Sequence, residues 1–156
     1  MKTQKIGIMG MARVQIVDKK TKKIVGDSGW GKNMLTNYGF ICCIGGAVIG
    51  AANSVQAGYL ALGASGEPAS SATVLPGLNS DQISSFAQSS MSNTLTAQMS
   101  QVFDGAESSM AVISNIGVLP GTASSCSLIA GMSYASSSLG ADQDVNATYR
   151  FVYTRT

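Results

Sequence analysis

The chain has 156 residues, contains no His, and is 45% hydrophobic but only 12% charged. Its length fits one domain that needs no disulfide or metal to hold its core, and the lack of His removes the commonest general acid–base residue and transition-metal ligand. A surface this poor in charge is weakly protected against self-association, so composition favours a subunit covered by its neighbours over an enzyme.

The first predicted element is an N-terminal hairpin at about residues 5–30. Alternate residues from Ala12 to Ile16 are apolar, which is the period of a half-buried strand. A polar turn follows at residues 18–23, and Ile24–Val25 begins the return strand.

This hairpin also carries most of the positive charge. Eight of the ten basic residues lie within residues 1–32, and none lies between Asn33 and Tyr149. Three interpretations are open: head-to-tail attraction between subunits, contact with nucleic acid, or a solvated lysine turn, which is the commonest outcome for a charge run. The candidate assembly contacts are Lys19, Lys20, Lys22, Lys23 and Trp30.

The next segment breaks the alternation. Apolar residues from Leu35 to Ile49 recur at three- and four-residue spacing, which predicts one short helix at about residues 34–49, capped by Thr36 or Asn33. The apolar run 40–52 would reach about 20 Å as a helix, short of the roughly 30 Å bilayer core. We therefore predict no membrane span.

Alternating patterns separated by Gly, Pro and Ser turns predict further strands along the rest of the chain. They lie at Tyr59–Leu62, Ile83–Gln88, Thr94–Phe103, Met110–Leu119, Leu128–Tyr134 and Val145–Tyr153. Many short strands with one helix predict a mostly β protein. We expect a single domain over residues 1–156, an antiparallel β-sandwich of jelly-roll type.

One segment nearly matches a phosphate-binding loop. Residues 26–33 fit G-x-x-x-x-G-K-[ST] except at the last position, where Asn33 offers an amide in place of the hydroxyl that holds magnesium. The parallel α/β pattern of such proteins is also missing. We expect instead a turn that brings Trp30 over the core.

The other candidates for chemistry are weak. Asp142 and Asp144 could suggest a calcium site or a glycosidase pair, but a solvated loop is the simpler interpretation. Cys42, Cys43 and Cys126 form neither a disulfide framework nor a zinc pattern, so buried thiols are expected. The sequence thus predicts no catalytic residue, no metal and no cofactor.

Four phrases follow one another over roughly residues 28–154. Residues 30–39 are similar to "W…KN…(I/L)TN.G", residues 59–69 to "lalGtGttaPa", residues 113–119 to "I.EiGLf", and the chain from Ser127 onward to "s.Llarat…itYtitf". In this order the phrases resemble small bacteriophage structural proteins. Two positions depart from the pattern. Asn115 replaces the acid of the third phrase, and residues 72–78 replace the acid-rich "tALtnEL".

The resemblance implies a structural virion protein that self-assembles into an oligomeric or polymeric tail, fibre, decoration or capsid component. Its implied partners are copies of itself and other virion proteins. The alternative is a receptor- or glycan-binding module at a phage tail or cell surface, whose partner would be a host receptor or glycan. Contact between the basic N-terminal segment and nucleic acid is the least favoured partnership.

Overall fold

The structure, a computed structural model, describes residues 6–41, 57–85, 88–92, 95–106, 112–121 and 127–155. These ranges contain eleven strands and one short helix: β1 (Ile6–Asp18), β2 (Ile24–Asp27), β3 (Gly31–Lys32), β4 (Met34–Leu35), α1 (Asn37–Phe40), β5 (Tyr59–Gly63), β6 (Leu78–Ser85), β7 (Gln88–Ser92), β8 (Thr96–Asp104), β9 (Val112–Leu119), β10 (Ala130–Ser138) and β11 (Gln143–Arg155). Cys42, Cys43 and Cys126 lie outside the described residues.

The strands form two antiparallel sheets. Sheet A has the order β2-β1-β11-β8-β7, with β3 also paired to β1, and sheet B has the order β4-β10-β9-β5-β6. The first and last strands pair along their whole length, from Ile6 opposite Arg155 to Asp18 opposite Gln143. The prediction of a mostly β, antiparallel protein is confirmed.

One cluster of buried side chains draws on both sheets. Its members are Ala12, Val14, Leu60, Leu62, Met99, Phe103, Ile113, Ile116, Val118, Ile129, Ala130, Met132, Val145, Ala147, Tyr149 and Phe151. The alternations predicted around Ala12–Ile16 and Val145–Tyr153 are confirmed, because their apolar residues are buried or pack against this cluster. Each large apolar side chain buried here contributes roughly 1.5–3 kcal/mol.

The helix begins later than predicted. Met34 and Leu35 pair with β10 as strand β4, and α1 covers only Asn37–Phe40. The Thr36 hydroxyl accepts the Gly39 N–H at 2.9 Å, so Thr36 is the N-cap and residues before it cannot be helical. Residues 42–49 of the predicted helix lie outside the described residues. Among the described residues, no helix has the length and apolar character to cross a membrane.

Two strand boundaries also differ from prediction. Leu95 was expected on the core face of a strand, but it is half exposed at φ 56°, and β8 begins at the next residue. The run Ile83–Gln88 is divided between β6 in sheet B and β7 in sheet A. The chain changes sheet there, and a local alternation carries no information about which sheet a strand joins.

Residues 64–77, which we call the cover, pack on the side of sheet B that faces away from the shared core. Leu75 of the cover is fully buried with Leu119 and Leu128 in a second apolar cluster. A Cβ at Gly117 would meet Leu128 Cδ1 at 2.7 Å and Leu75 Cδ1 at 3.0 Å, so glycine allows this close packing. Both sides of sheet B are therefore covered by apolar contacts.

A buried amide fastens the cover to β9. Asn115 has no exposed surface, and its Nδ2 donates to the carbonyl oxygens of Ser65, Gly66 and Pro76 at 3.0, 3.0 and 2.8 Å. A carboxylate has no hydrogen to donate, so an acid here would face three carbonyl oxygens without a hydrogen bond. This environment accounts for the amide at position 115.

We therefore predict that Asn115→Asp lowers the free energy of unfolding by at least about 2 kcal/mol, because it leaves buried carbonyl groups unsatisfied. The matched control is Asn146→Asp, which makes the same change on the partly exposed side of β11. Urea denaturation of the two variants measures the difference. Equal loss in both would show that the amide does not hold the cover.

Candidate assembly surface

The lysine-rich turn joins β1 to β2, and its shape is set by Asp18. The carboxylate of Asp18 accepts the Thr21 N–H at 2.6 Å and the Thr21 hydroxyl at 2.8 Å. These two bonds, the backbone one foremost, hold the pKa of Asp18 below its usual value. Within the segment that joins β1 to β2, the side chains of Lys20, Lys22 and Lys23 are all exposed.

Lys19 differs from the other three lysines because it is used within the molecule. Its Nζ donates to a carboxylate oxygen of Asp104, donates to the Ala141 carbonyl at 3.0 Å, and lies 3.7 Å from an Asp144 carboxylate oxygen. The hydrogen bond with Asp104 is the main reason that the pKa of Lys19 is raised and that of Asp104 lowered. Lys19 therefore ties β1 to β8 and β11.

These contacts neutralise Lys19, whereas Lys20, Lys22 and Lys23 form no salt bridge among the described residues. The four lysines of the turn lie at the same end of sheet A as four acids, namely Asp18, Asp104, Asp142 and Asp144. Strands β1, β11 and β8 are neighbours, so they place these acids within about 10 Å of β1 across the sheet. The four acids equal the four lysines of the turn in formal charge.

Trp30 is the other predicted contact, and it lies far from the lysine turn. The guanidinium carbon of Arg150 is 4.2 Å from the centroid of the Trp30 ring, and Arg150 Nε donates to Gln98 Oε1 at 2.6 Å. Lys32, Met11, Arg150 and Gln98 occupy neighbouring register positions across sheet A. We call Met11, Trp30, Lys32, Gln98 and Arg150 the Trp30 platform.

The platform faces away from the core. Its members on β1 and β11 alternate with buried residues such as Ala12 and Tyr149, and Trp30 is 36% exposed. The expectation that Trp30 would lie over the core is wrong, because its ring stacks on Arg150 at the surface. Sequence analysis missed Arg150 and Gln98, whose roles depend on pairing between β8 and β11.

An ion pair borders the platform along β1. Arg13 donates to the Asp27 carboxylate from Nε at 3.0 Å and from Nη2 at 2.5 Å, and Gln15 Nε2 donates to it at 2.9 Å. The Arg13 hydrogen bonds are the largest cause holding the pKa of Asp27 far below its usual range. Because the two side chains keep 36% and 30% of their surface exposed, solvent screens the pair, which orients β2 against β1 more than it adds stability.

The segment that nearly matches a phosphate loop takes another form. Lys32 lies exposed in β3, which pairs with β1, and the preceding turn has Gly29 at φ 65°. Asn33 turns inward, where its Nδ2 donates to the buried Tyr149 hydroxyl. The residues that would cradle a phosphate are thus used in a strand and in the core.

The described residues also give no support for metal chemistry at the two neighbouring aspartates. Asp144 lies beside Lys19, and Asp142 is exposed in the turn that enters β11. Within the described ranges, no group of three or more His, Cys, Asp and Glu residues could hold a metal ion. What this surface offers is stacking, hydrogen bonding and charge.

Comparison of the chain with protein-family models, with curated proteins and with solved structures finds no match.

We predict that Lys19→Met lowers the thermal midpoint of unfolding, whereas Lys20→Met leaves it nearly unchanged. Both variants remove one positive charge from the same turn, but only Lys19 contacts Asp104 and Asp144. Differential scanning fluorimetry compares the two variants. Equal midpoints would contradict the structural role of Lys19.

The same pair predicts a pH dependence. Because folding lowers the pKa of Asp104, its carboxylate contributes fully to stability above the ordinary aspartate pKa, about 3.9. That contribution is lost as the pH falls through the pKa of Asp104 in the folded protein. Because folding raises the pKa of Lys19, its ammonium group contributes fully to stability below the ordinary lysine pKa, about 10.4. That contribution is lost as the pH rises past the pKa of Lys19 in the folded protein. The difference in unfolding midpoint between wild type and Lys19→Met should therefore be constant from about pH 5 to 9. It should shrink at lower and at higher pH. A difference unchanged at pH 2 would exclude the ion pair as its cause.

Proposed function

We propose that this chain is a structural virion protein of a bacteriophage, which self-assembles into an oligomeric or polymeric tail, fibre, decoration or capsid component. It acts by burying its surface against other copies and not by catalysis. The observation that carries the proposal is the Trp30 platform, an exposed aromatic ring with a stacked, positioned arginine on a chain of low charge. Trp, Met and Arg are among the residues enriched in protein interfaces.

The proposal includes the arrangement of the two sheets as a β-sandwich of jelly-roll type within one domain. Its support is the single apolar cluster to which both sheets contribute. Further support comes from nested pairing, in which the first strand pairs with the last and β4 pairs with β10. Such pairing from the two ends inward is compatible with Greek-key connections.

Only three of the four lysines in the turn remain proposed contacts with a partner. Lys20, Lys22 and Lys23 are exposed and available to a partner, whereas Lys19 is held by Asp104. Reversing all four charges would confuse loss of assembly with loss of stability. A variant that spares Lys19 separates the two effects.

We expect purified wild-type protein to form fibres, rings or closed particles at high concentration. We expect Trp30→Ala to raise the concentration needed for assembly about tenfold or more, because a buried interfacial aromatic is commonly worth over 1 kcal/mol. Sedimentation velocity across a concentration series, with negative-stain images, measures both. The matched control is Val112→Ala, which shortens another exposed apolar side chain, in β9 of sheet B rather than on sheet A.

The lysine contacts have their own variant. Replacing Lys20, Lys22 and Lys23 together by Glu should weaken assembly while the unfolding midpoint stays close to that of wild type. Unchanged particle size in this variant would remove the turn from the interface. A wild-type protein that stays monomeric at every concentration would contradict the proposed function itself.

One observation favours the alternative, a receptor- or glycan-binding module. A cavity of about 260 Å³ opens between β6 and β8, lined by polar groups that include Ser84, Gln101 and Asp104. Gln101 Nε2 donates to Ser84 Oγ at 2.6 Å, while Gln101 Oε1 is buried without a hydrogen-bond partner among the described residues. Amides and hydroxyls of this kind can bind sugar hydroxyls. A glycan array with binding abolished by Gln101→Ala would support this function, and an array without hits would remove it.

A further inference from the structure

Basic residues are confined to one of the two sheets. The strands of sheet B and the cover all lie between Asn33 and Tyr149, where the chain has no Lys or Arg. In the described residues, sheet A and its turns contain every basic residue: Arg13, Lys19, Lys20, Lys22, Lys23, Lys32, Arg150 and Arg155. The charge split along the sequence therefore becomes a split between two surfaces.

The basic surface has its organised centre in the Trp30 platform. Arg150 is fixed from two sides, by the Trp30 ring at 4.2 Å and by Gln98 Oε1 at 2.6 Å. Among the described residues no carboxylate forms a salt bridge with Arg150 or Lys32. The guanidinium is held in place with its charge unneutralised, which prepares it for an acid from outside.

The cover offers a matching acid. Glu67 is the only charged residue of the cover and is exposed, while the next residue, Pro68, is buried. Asn115 holds the backbone at Ser65 and Gly66, and the Asn37 N–H donates to the Ser70 carbonyl at 2.8 Å. The carboxylate is thus presented on a loop that is fixed on both sides of it.

We infer that the Trp30 platform of one copy docks on the cover of a second copy, with Glu67 of the second facing Lys32 and Arg150 of the first. This inference rests on the proposed function and specifies its interface. The occupant is a second copy because the chain carries both halves of the charge match. The halves lie on different sheets, so the contact is head-to-tail, which builds open polymers or rings rather than isolated two-fold dimers.

A charge exchange tests the inference. We expect Lys32→Glu and Glu67→Lys each to raise the concentration for assembly about tenfold or more, because each places like charges opposite one another. The double variant restores the pair in reverse and should recover most of the wild-type assembly. Both side chains are exposed, so the unfolding midpoint should not move.

The matched control for net charge combines Glu67→Lys with Lys20→Glu, which restores the net charge without placing an acid on the Trp30 platform. It should not recover assembly. The double variant decides the matter, because single losses without recovery would show only an effect of net charge. If wild type assembles but the exchange does not recover, this docking is wrong and the proposed function stands. If wild type never assembles, both are wrong.

Discussion

The pairing of β1 with β11 is the contact on which the rest of the structure depends. It joins the two ends of the chain along thirteen residues each, from Ile6 to Asp18 and from Gln143 to Arg155. Because the side-chain period is two, this one register decides which residues of both strands enter the core. The pairing also places Asp144 beside Lys19 at one end of sheet A. Nearer the other end, it places Arg150 against the Trp30 ring.

The same pairing changes what the charge distribution means. In the sequence, a positive N-terminal segment precedes a long stretch without basic residues. In the structure, acids from distant segments lie beside the lysine turn and neutralise Lys19. Lys20, Lys22 and Lys23 in the turn, like Lys32 and Arg150 in the Trp30 platform, form no salt bridge among the described residues. The electrostatically distinct feature is therefore the contrast between the two sheets and not the hairpin.

Sequence reasoning succeeded where the physical cause is local and failed where it is distant. Alternation predicted the core faces of β1 and β11 because burial on one side of a strand imposes a period of two. It could not predict that Met34 and Leu35 form a strand, because their hydrogen-bond partners lie in β10. Lys19 was indistinguishable from Lys20, since its role exists only once β8 and β11 are in place.

The edge of sheet A at β2 shows why contacts between copies would use side-chain surfaces. Ile24 and Val25 are 55% and 56% exposed on an edge strand, which would normally invite pairing with another chain. The strand has only four residues, its register shifts where it pairs with β1, and Lys22 and Lys23 precede it. Short length, irregular register and flanking charge each oppose strand addition, whatever the sign of the charge. Replacing Lys22 and Lys23 by Glu would keep a charge beside the edge strand and would change only its attraction to a partner. A change in assembly would therefore report on the sign of the charge and not on an unprotected edge.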